Sequence, residues 1–270
     1  MTATPLGSAA LGRITRGTTA RRRLRHVDTW LLATHPAVVM TAHAVVVDLG
    51  FGASPVTTLE LADRVHARNP TADVVGLEID ADRVLAAQVF ARGGLRFQRG
   101  GFELGGLRPR LVRAMNVLRQ YDEADVPGAW RSMTEALAPG GLVVEGTCDE
   151  TGRLGAWVTL DRTGPLTLTL HADLTRPPAD LATRLPKALI HRNVLGRAIH
   201  ALLTALHRYW TLAAPLDVFS PRQRFARAAH GLLTEGWPVR DGPGRWRRGE
   251  LTVAWSAVGR DLPDIRAVCR

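Results

Sequence analysis

Asp48, Gly50, Gly52 and Glu78 are the residues whose types and spacing first suggest chemistry. An acid followed at once by Gly-x-Gly sets a carboxylate beside a backbone turn that a ligand can approach closely, because glycine has no Cβ to hold it off. Ser54 is a good helix N-cap and Pro55 suits a first helical position, so the turn is expected to lead straight into a helix. Glu78 stands 26 residues after Gly52, room for one helix and one strand, at the end of a second apolar run. In a doubly wound sheet, a carboxylate there accepts hydrogen bonds from both hydroxyls of a ribose. A Gly-x-Gly alone is only a tight turn, so the weight rests on the order of these elements.

The elements that must position them follow from patterning. Ala44-Val45-Val46-Val47 is a continuous apolar run of the kind that forms a parallel strand buried on both faces. Residues 73–80, 95–104, 110–118 and 142–148 give four further strands, the last announced by Pro139-Gly140-Gly141. Between them, residues 82–92 (apolar at Val84, Leu85, Val89 and Phe90) and 125–137 are expected to be helical. This alternation predicts an α/β fold, a doubly wound, mostly parallel sheet. Beyond residue 150 the pattern changes. Residues 156–160 and 166–170 alternate around Thr163-Gly164-Pro165 and predict an antiparallel hairpin. Residues 179–213 and 221–235 are helical in pattern, and 249–255 is a last candidate strand. The fold expected is a seven-stranded sheet with a C-terminal helical elaboration.

The net charge of +10 is unevenly spread: +5 over residues 1–43, −4 over 44–150 and +9 over 151–270. Such asymmetry suits a polyanionic partner. Lys187 is the single lysine among 35 basic residues, however, which favours compositional bias toward arginine over selection for phosphate contacts. Nucleic acid is therefore a possible partner and not the favoured one. No apolar run reaches the length of a membrane span. Cys148 and Cys269 are too few for a disulfide framework, so a cytoplasmic setting is expected. No His/Cys grouping has metal-ligand spacing, and no metal is expected. Residues 1–25 are expected to form a flexible basic arm. Residues 26–270 are expected to form one domain, with a cofactor-binding half to residue 150 and an acceptor-side half beyond it.

Asp48-Leu49-Gly50-Phe51-Gly52-Ala53-Ser54 resembles motif I of the class I S-adenosylmethionine-dependent methyltransferases, whose fold is Rossmann-like. Gly76-Leu77-Glu78-Ile79-Asp80 resembles their second-strand motif, and Leu137-Ala138-Pro139-Gly140-Gly141-Leu142 their approach to strand five. Asn116-Val117-Leu118-Arg119-Gln120-Tyr121 is similar to the loop after strand four in chemotaxis-receptor methyltransferases. The superfamily resemblance covers about residues 40–150, and the whole chain is similar to a group of methylases from high-GC bacteria. The resemblance implies S-adenosyl-L-methionine as cofactor. It implies that Asp48, Gly50, Gly52 and Ser54 line the methionine end, that Glu78 holds the ribose, and that Gly101 and Phe102 border the adenine. Met115 and Asn116 would then lie under the sulfonium. Two departures stand out. Ser54 replaces a third glycine, and Gly101-Phe102-Glu103 replaces the usual acid after strand three, leaving Glu103 as the candidate partner for the adenine amine. A nicotinamide-dependent oxidoreductase fits less well, since Pro55 stands where a third glycine is wanted and nothing there requires Asp48.

Methyl transfer from a sulfonium is an in-line displacement in which the protein mainly aligns the reactants. Expected acceptor-side groups lie after the fourth and fifth strands. Asn116, Asp149 and Glu150 are the candidates for catalytic roles, and Arg113 and Tyr121 for substrate binding. Lys187, His191 and Arg192 form a second basic group, either a helix C-terminus favoured by its carbonyls or a lid over an anionic acceptor. The expectation is methyl transfer to a small molecule or a protein. The alternatives are an RNA methyltransferase using the basic arm and C-terminal half, and a non-catalytic module that binds S-adenosylmethionine.

Overall fold

The structure, a computed structural model, describes residues 10–14 and 16–260. Expectations for residues 1–9 and for Cys269 lie outside them. The chain divides into two compact units, residues 1–114 with 128–143 and residues 115–127 with 144–270, where one domain from residue 26 is expected.

The first unit opens with α1 (Arg25–Thr34) and α2 (Pro36–Met40) and continues through β1 (Val45–Leu49), α3 (Val56–His66), β2 (Asp73–Glu78), α4 (Ala81–Ala87), β3 (Leu95–Arg99) and β4 (Leu111–Met115). Its strands lie in the order β3-β2-β1-β4 and all pair in parallel. The register sets Asp48 opposite Gly76 on one side and Arg113 on the other, and Glu78 opposite Arg99. The strand order reverses between β1 and β4, so the carboxyl end of β1 opens at a switch point. Val46, Val47, Val74, Val75, Leu77, Leu111 and Val112 are buried along the strands, as runs covered on both faces require. The third strand ends at Arg99, where the glycine turn takes over. Leu85 and Val89, expected on the packed face of the next helix, are instead 71% and 80% exposed. Leu85 lies within α4 on the side away from the buried Val84 and Ala87, while for Val89 a 3₁₀ turn (Gln88–Phe90) replaces the helix's last turn, so the 3.6-residue spacing no longer applies there.

After α5 (Val126–Glu135) come β5 (Leu142–Cys148), β6 (Gly155–Asp161) and β7 (Gly164–His171). In the second unit the strand order is β5-β6-β7-β8, with β8 at Glu250–Ala254. The pairs β6–β7 and β7–β8 are antiparallel. Eight strands are present among the described residues, where seven are expected, and the antiparallel share is larger than a mostly parallel sheet implies. The expected long helix over 179–213 is broken into a 3₁₀ stretch (Pro178–Arg184), α6 (Lys187–Ile190) and α7 (Ala198–Leu212). Pro186 has no N–H to continue a helix, and Gly196 at φ +86° turns the chain before α7. α7 packs against α8 (Pro221–Glu235), which ends at Gly236 in the left-handed region. No helix among the described residues is long and apolar enough to cross a membrane.

Between α9 (Pro243–Trp246) and β8, Asp241 carries a pH dependence. Its carboxylate accepts from Trp246 Nε1 and Thr252 N–H, both at 2.7 Å, yet burial pushes it from 3.8 up to about 6. The folded state therefore binds this proton more tightly than the unfolded chain. The stabilisation is full below about pH 4 and is lost as pH rises through about 6. Asp241→Asn removes the group. Urea unfolding from pH 4.5 to 7 should show the wild type losing about 2 kcal/mol relative to the variant; a pH-independent difference would refute this origin.

Candidate functional site

The expected turn forms at the carboxyl end of β1. Gly50 and Gly52 adopt φ +73° and +79°, a region open to glycine and strained for other residues. Gly50 N–H donates to the Leu77 carbonyl at 2.7 Å, and Gly52 N–H donates to Glu78 Oε2 at 2.9 Å. The other oxygen of Glu78 accepts from Ile79 N–H at 2.9 Å and Asp80 N–H at 3.3 Å. Three backbone donors thus fix one carboxylate beside the first loop. The next strand joins it through Gly100 N–H, which donates to the Glu78 carbonyl at 3.1 Å. The turn beyond β3 is closed by Glu103, whose Oε1 accepts from Gly101 N–H at 2.8 Å. The structure therefore brings Gly50, Gly52, Glu78 and the Gly101–Glu103 turn together at adjacent strand ends. Ser54 does not cap α3. The helix starts at Val56 with Pro55 at its N-cap, leaving Ser54 one residue outside it.

The basic arm is not free where it is described. Leu11 N–H donates to Glu103 Oε2 at 2.6 Å, and the Leu11 carbonyl accepts from Phe102 N–H at 2.9 Å. The Gly17 carbonyl accepts from Ala53 N–H at 3.1 Å. A Cβ built on Gly101 would lie 2.0 Å from the Leu11 oxygen, and one on Gly52 2.8 Å from the Gly17 oxygen. The close approach that these glycines permit is thus made by the chain's own N-terminal strap. Sequence reading missed Leu11 and Gly17, because main-chain contacts leave no side-chain pattern.

Asp48 and Arg113 are joined in a buried network. Arg113 is 0% exposed. Its Nε donates to Asp48 Oδ1 at 2.9 Å, its Nη1 to Asp28 Oδ1 at 2.5 Å, and its Nη2 to the Thr57 carbonyl at 3.0 Å. Arg64 Nη1 meets the other Asp28 oxygen at 3.0 Å, and Thr58 Oγ1 donates to Asp48 Oδ2 at 2.6 Å. Burial pulls Arg113 toward neutrality, but Asp28 and Asp48 outweigh it and hold the guanidinium above its ordinary range. Every nitrogen of Arg113, expected as a substrate-binding group, is engaged inside the core. Asp48 binds α3 and β4 to β1, and so fixes the base of the glycine turn.

In the second unit, Asn116 has φ +64°, a strained position that asparagine tolerates better than most residues. Its Oδ1 accepts from Cys148 N–H at 3.0 Å, and its Nδ2 contacts Cys148 Sγ at 3.3 Å. Met115, Tyr121 and Cys148 are buried. Asp149 shapes the β5–β6 turn, accepting from Arg153 N–H at 3.0 Å and Thr151 Oγ1 at 3.2 Å. Glu150 is exposed and pairs with Arg184 at 3.3 Å. Arg192 pairs with Glu123 at 2.6 Å. Lys187 begins the single turn of α6 and His191 caps it, so the two flank a short turn and share no long helix face. Phe102 is buried in the first unit.

No family model matches the chain, and no curated protein matches it in sequence. Among solved structures, it is similar to the PH0226 protein from Pyrococcus horikoshii OT3 at 16% identity and TM-score 0.37, over 47% of this chain and 57% of that one. It is similar to the sugar N-methyltransferase KedS8 from Streptoalloteichus sp ATCC 53650 at 18% identity and TM-score 0.35, over 63% of this chain and 69% of that one. A third is the magnesium protoporphyrin IX methyltransferase ChlM from Synechocystis PCC 6803 with bound SAH, at 19% identity and TM-score 0.36, over 47% and 55%. The chain spans little more than half of the first and third of these structures.

Proposed function

We propose that the first unit binds S-adenosyl-L-methionine at the carboxyl ends of β1–β3, and that the protein transfers its methyl group to an acceptor. The observation that carries this reading is the 2.9 Å bond between Gly52 N–H and Glu78 Oε2, which joins the glycine turn and the ribose-type carboxylate in one cradle. The donor set fits the group. Glu78 suits paired hydroxyls, and Phe102 N–H beside the Glu103 carboxylate offers a donor and an acceptor to an adenine edge. When bound, the cofactor supplies a methyl on a cationic sulfur, which departs as a neutral thioether while an acceptor lone pair forms the new bond.

The residues of this chain bind and orient. Glu78 fixes the ribose, the Gly50–Gly52 backbone allows close approach, and the Arg113 network holds the turn rigid. The acceptor-side roles expected for Asn116, Asp149 and Glu150 belong to the same proposal. Calorimetry with S-adenosylmethionine tests it. A dissociation constant of about 10–100 μM is expected, near −6 kcal/mol, and absence of heat at millimolar cofactor would overturn the reading.

A further inference from the structure

We infer that the N-terminal strap is a built-in occupant of the nucleoside cradle, displaced when an adenosyl ligand binds; this rests on the cofactor reading above. The backbone of Leu11 presents an N–H to Glu103 at 2.6 Å and a carbonyl to Phe102 N–H at 2.9 Å. That is the donor–acceptor pair which the Watson–Crick edge of adenine presents. Phe102 has a single N–H to donate, so it cannot serve both partners at once.

Gly17 closes the other end of the cradle. A Cβ on Gly17 would stand 2.9 Å from Arg83 Cζ, and Arg83 Nη1 lies 3.8 Å from Glu78 Oε2. Glu78 is only 1% exposed in this arrangement. A ribose can reach its carboxylate only after the Gly17–Arg83 layer opens. The apolar side chains of the strap are little buried. Leu11 is 51% and Ile14 61% exposed, so few apolar contacts oppose its release, as is typical of segments that open locally. Both ends of the strap thus stand on groups that the ligand would use.

The test uses the full chain carrying Leu11→Pro and Gly17→Val. The first removes the N–H given to Glu103; the second adds a side chain that meets Arg83 and disfavours φ +71°. Neither residue is among those proposed to bind the cofactor. In calorimetry with S-adenosylhomocysteine, the double variant should bind at least tenfold more tightly than the wild type. In hydrogen exchange on the wild type, saturating S-adenosylhomocysteine should speed exchange of the Leu11 amide while the Phe102 amide stays protected. Equal affinity, or weaker binding by the variant, would overturn the strap proposal and leave the cofactor reading standing. Unchanged Leu11 protection in the saturated wild type would overturn it independently of how the variant folds. Absence of binding by either form would overturn both.

Discussion

Arg113→Met should lower the unfolding free energy by about 3–5 kcal/mol, the cost of leaving buried charges without their partner. Methionine matches much of the volume, so the loss would report electrostatics more than packing. Asp28 would keep Arg64 at 3.0 Å, but Asp48 would retain only the Thr58 hydroxyl. The asymmetry gives a second readout: adding Asp48→Asn to Arg113→Met should recover part of the loss, since an amide left in the core costs less than a carboxylate. Denaturant melts of the two variants decide it. A single-variant loss below about 1 kcal/mol, the scale of an exposed pair, would show that the network is not what holds the glycine turn.

The second large effect is expected at Glu78. Glu78→Gln keeps the shape but leaves one oxygen where two now accept from Gly52, Ile79 and Asp80 N–H. An amide NH₂ would then face a backbone donor, and the turn would loosen as the charge-assisted bonds to a ribose were lost. Each such bond contributes about 1.5–3 kcal/mol, so S-adenosylhomocysteine should bind about a hundredfold more weakly. Circular dichroism establishes that the variant is folded, and calorimetry gives the affinity. An unchanged dissociation constant in a folded Glu78→Gln protein would remove the carboxylate from the cradle.

Much of the first unit was legible because its signals are local. Continuous apolar runs gave β1, β2 and β5 nearly to the residue, and glycine after an acid gave the turn. The position of Glu78 at the end of β2, beside the first loop, was legible because strand order and loop length together leave few places for it. Arg113, expected among the acceptor-side groups at the carboxyl end of the fourth strand, lies buried within that strand. Its setting, Leu111-Val112-Arg113-Ala114-Met115, is a core strand, and a charge inside such a strand implies a buried partner. Asp28, set among Val27, Trp30, Leu31 and Leu32, carried the matching signal. The helix over 179–213 was overread because apolar spacing persists across Pro186 while backbone hydrogen bonding does not. The strap could not be read at all, since its bonds use main-chain atoms that every sequence possesses.

Asp28 stands on α1, ten residues beyond Thr18, and its ion pairs with Arg64 and Arg113 root that helix in the core. The strap is therefore leashed a few residues from its seat. Its local concentration is set by leash length, on a millimolar scale for short flexible connections, and does not change as the protein is diluted. An incoming nucleoside would face the same opposition in dilute solution as in a crowded one. A detached peptide of the same sequence, by contrast, would need millimolar supply to compete as well.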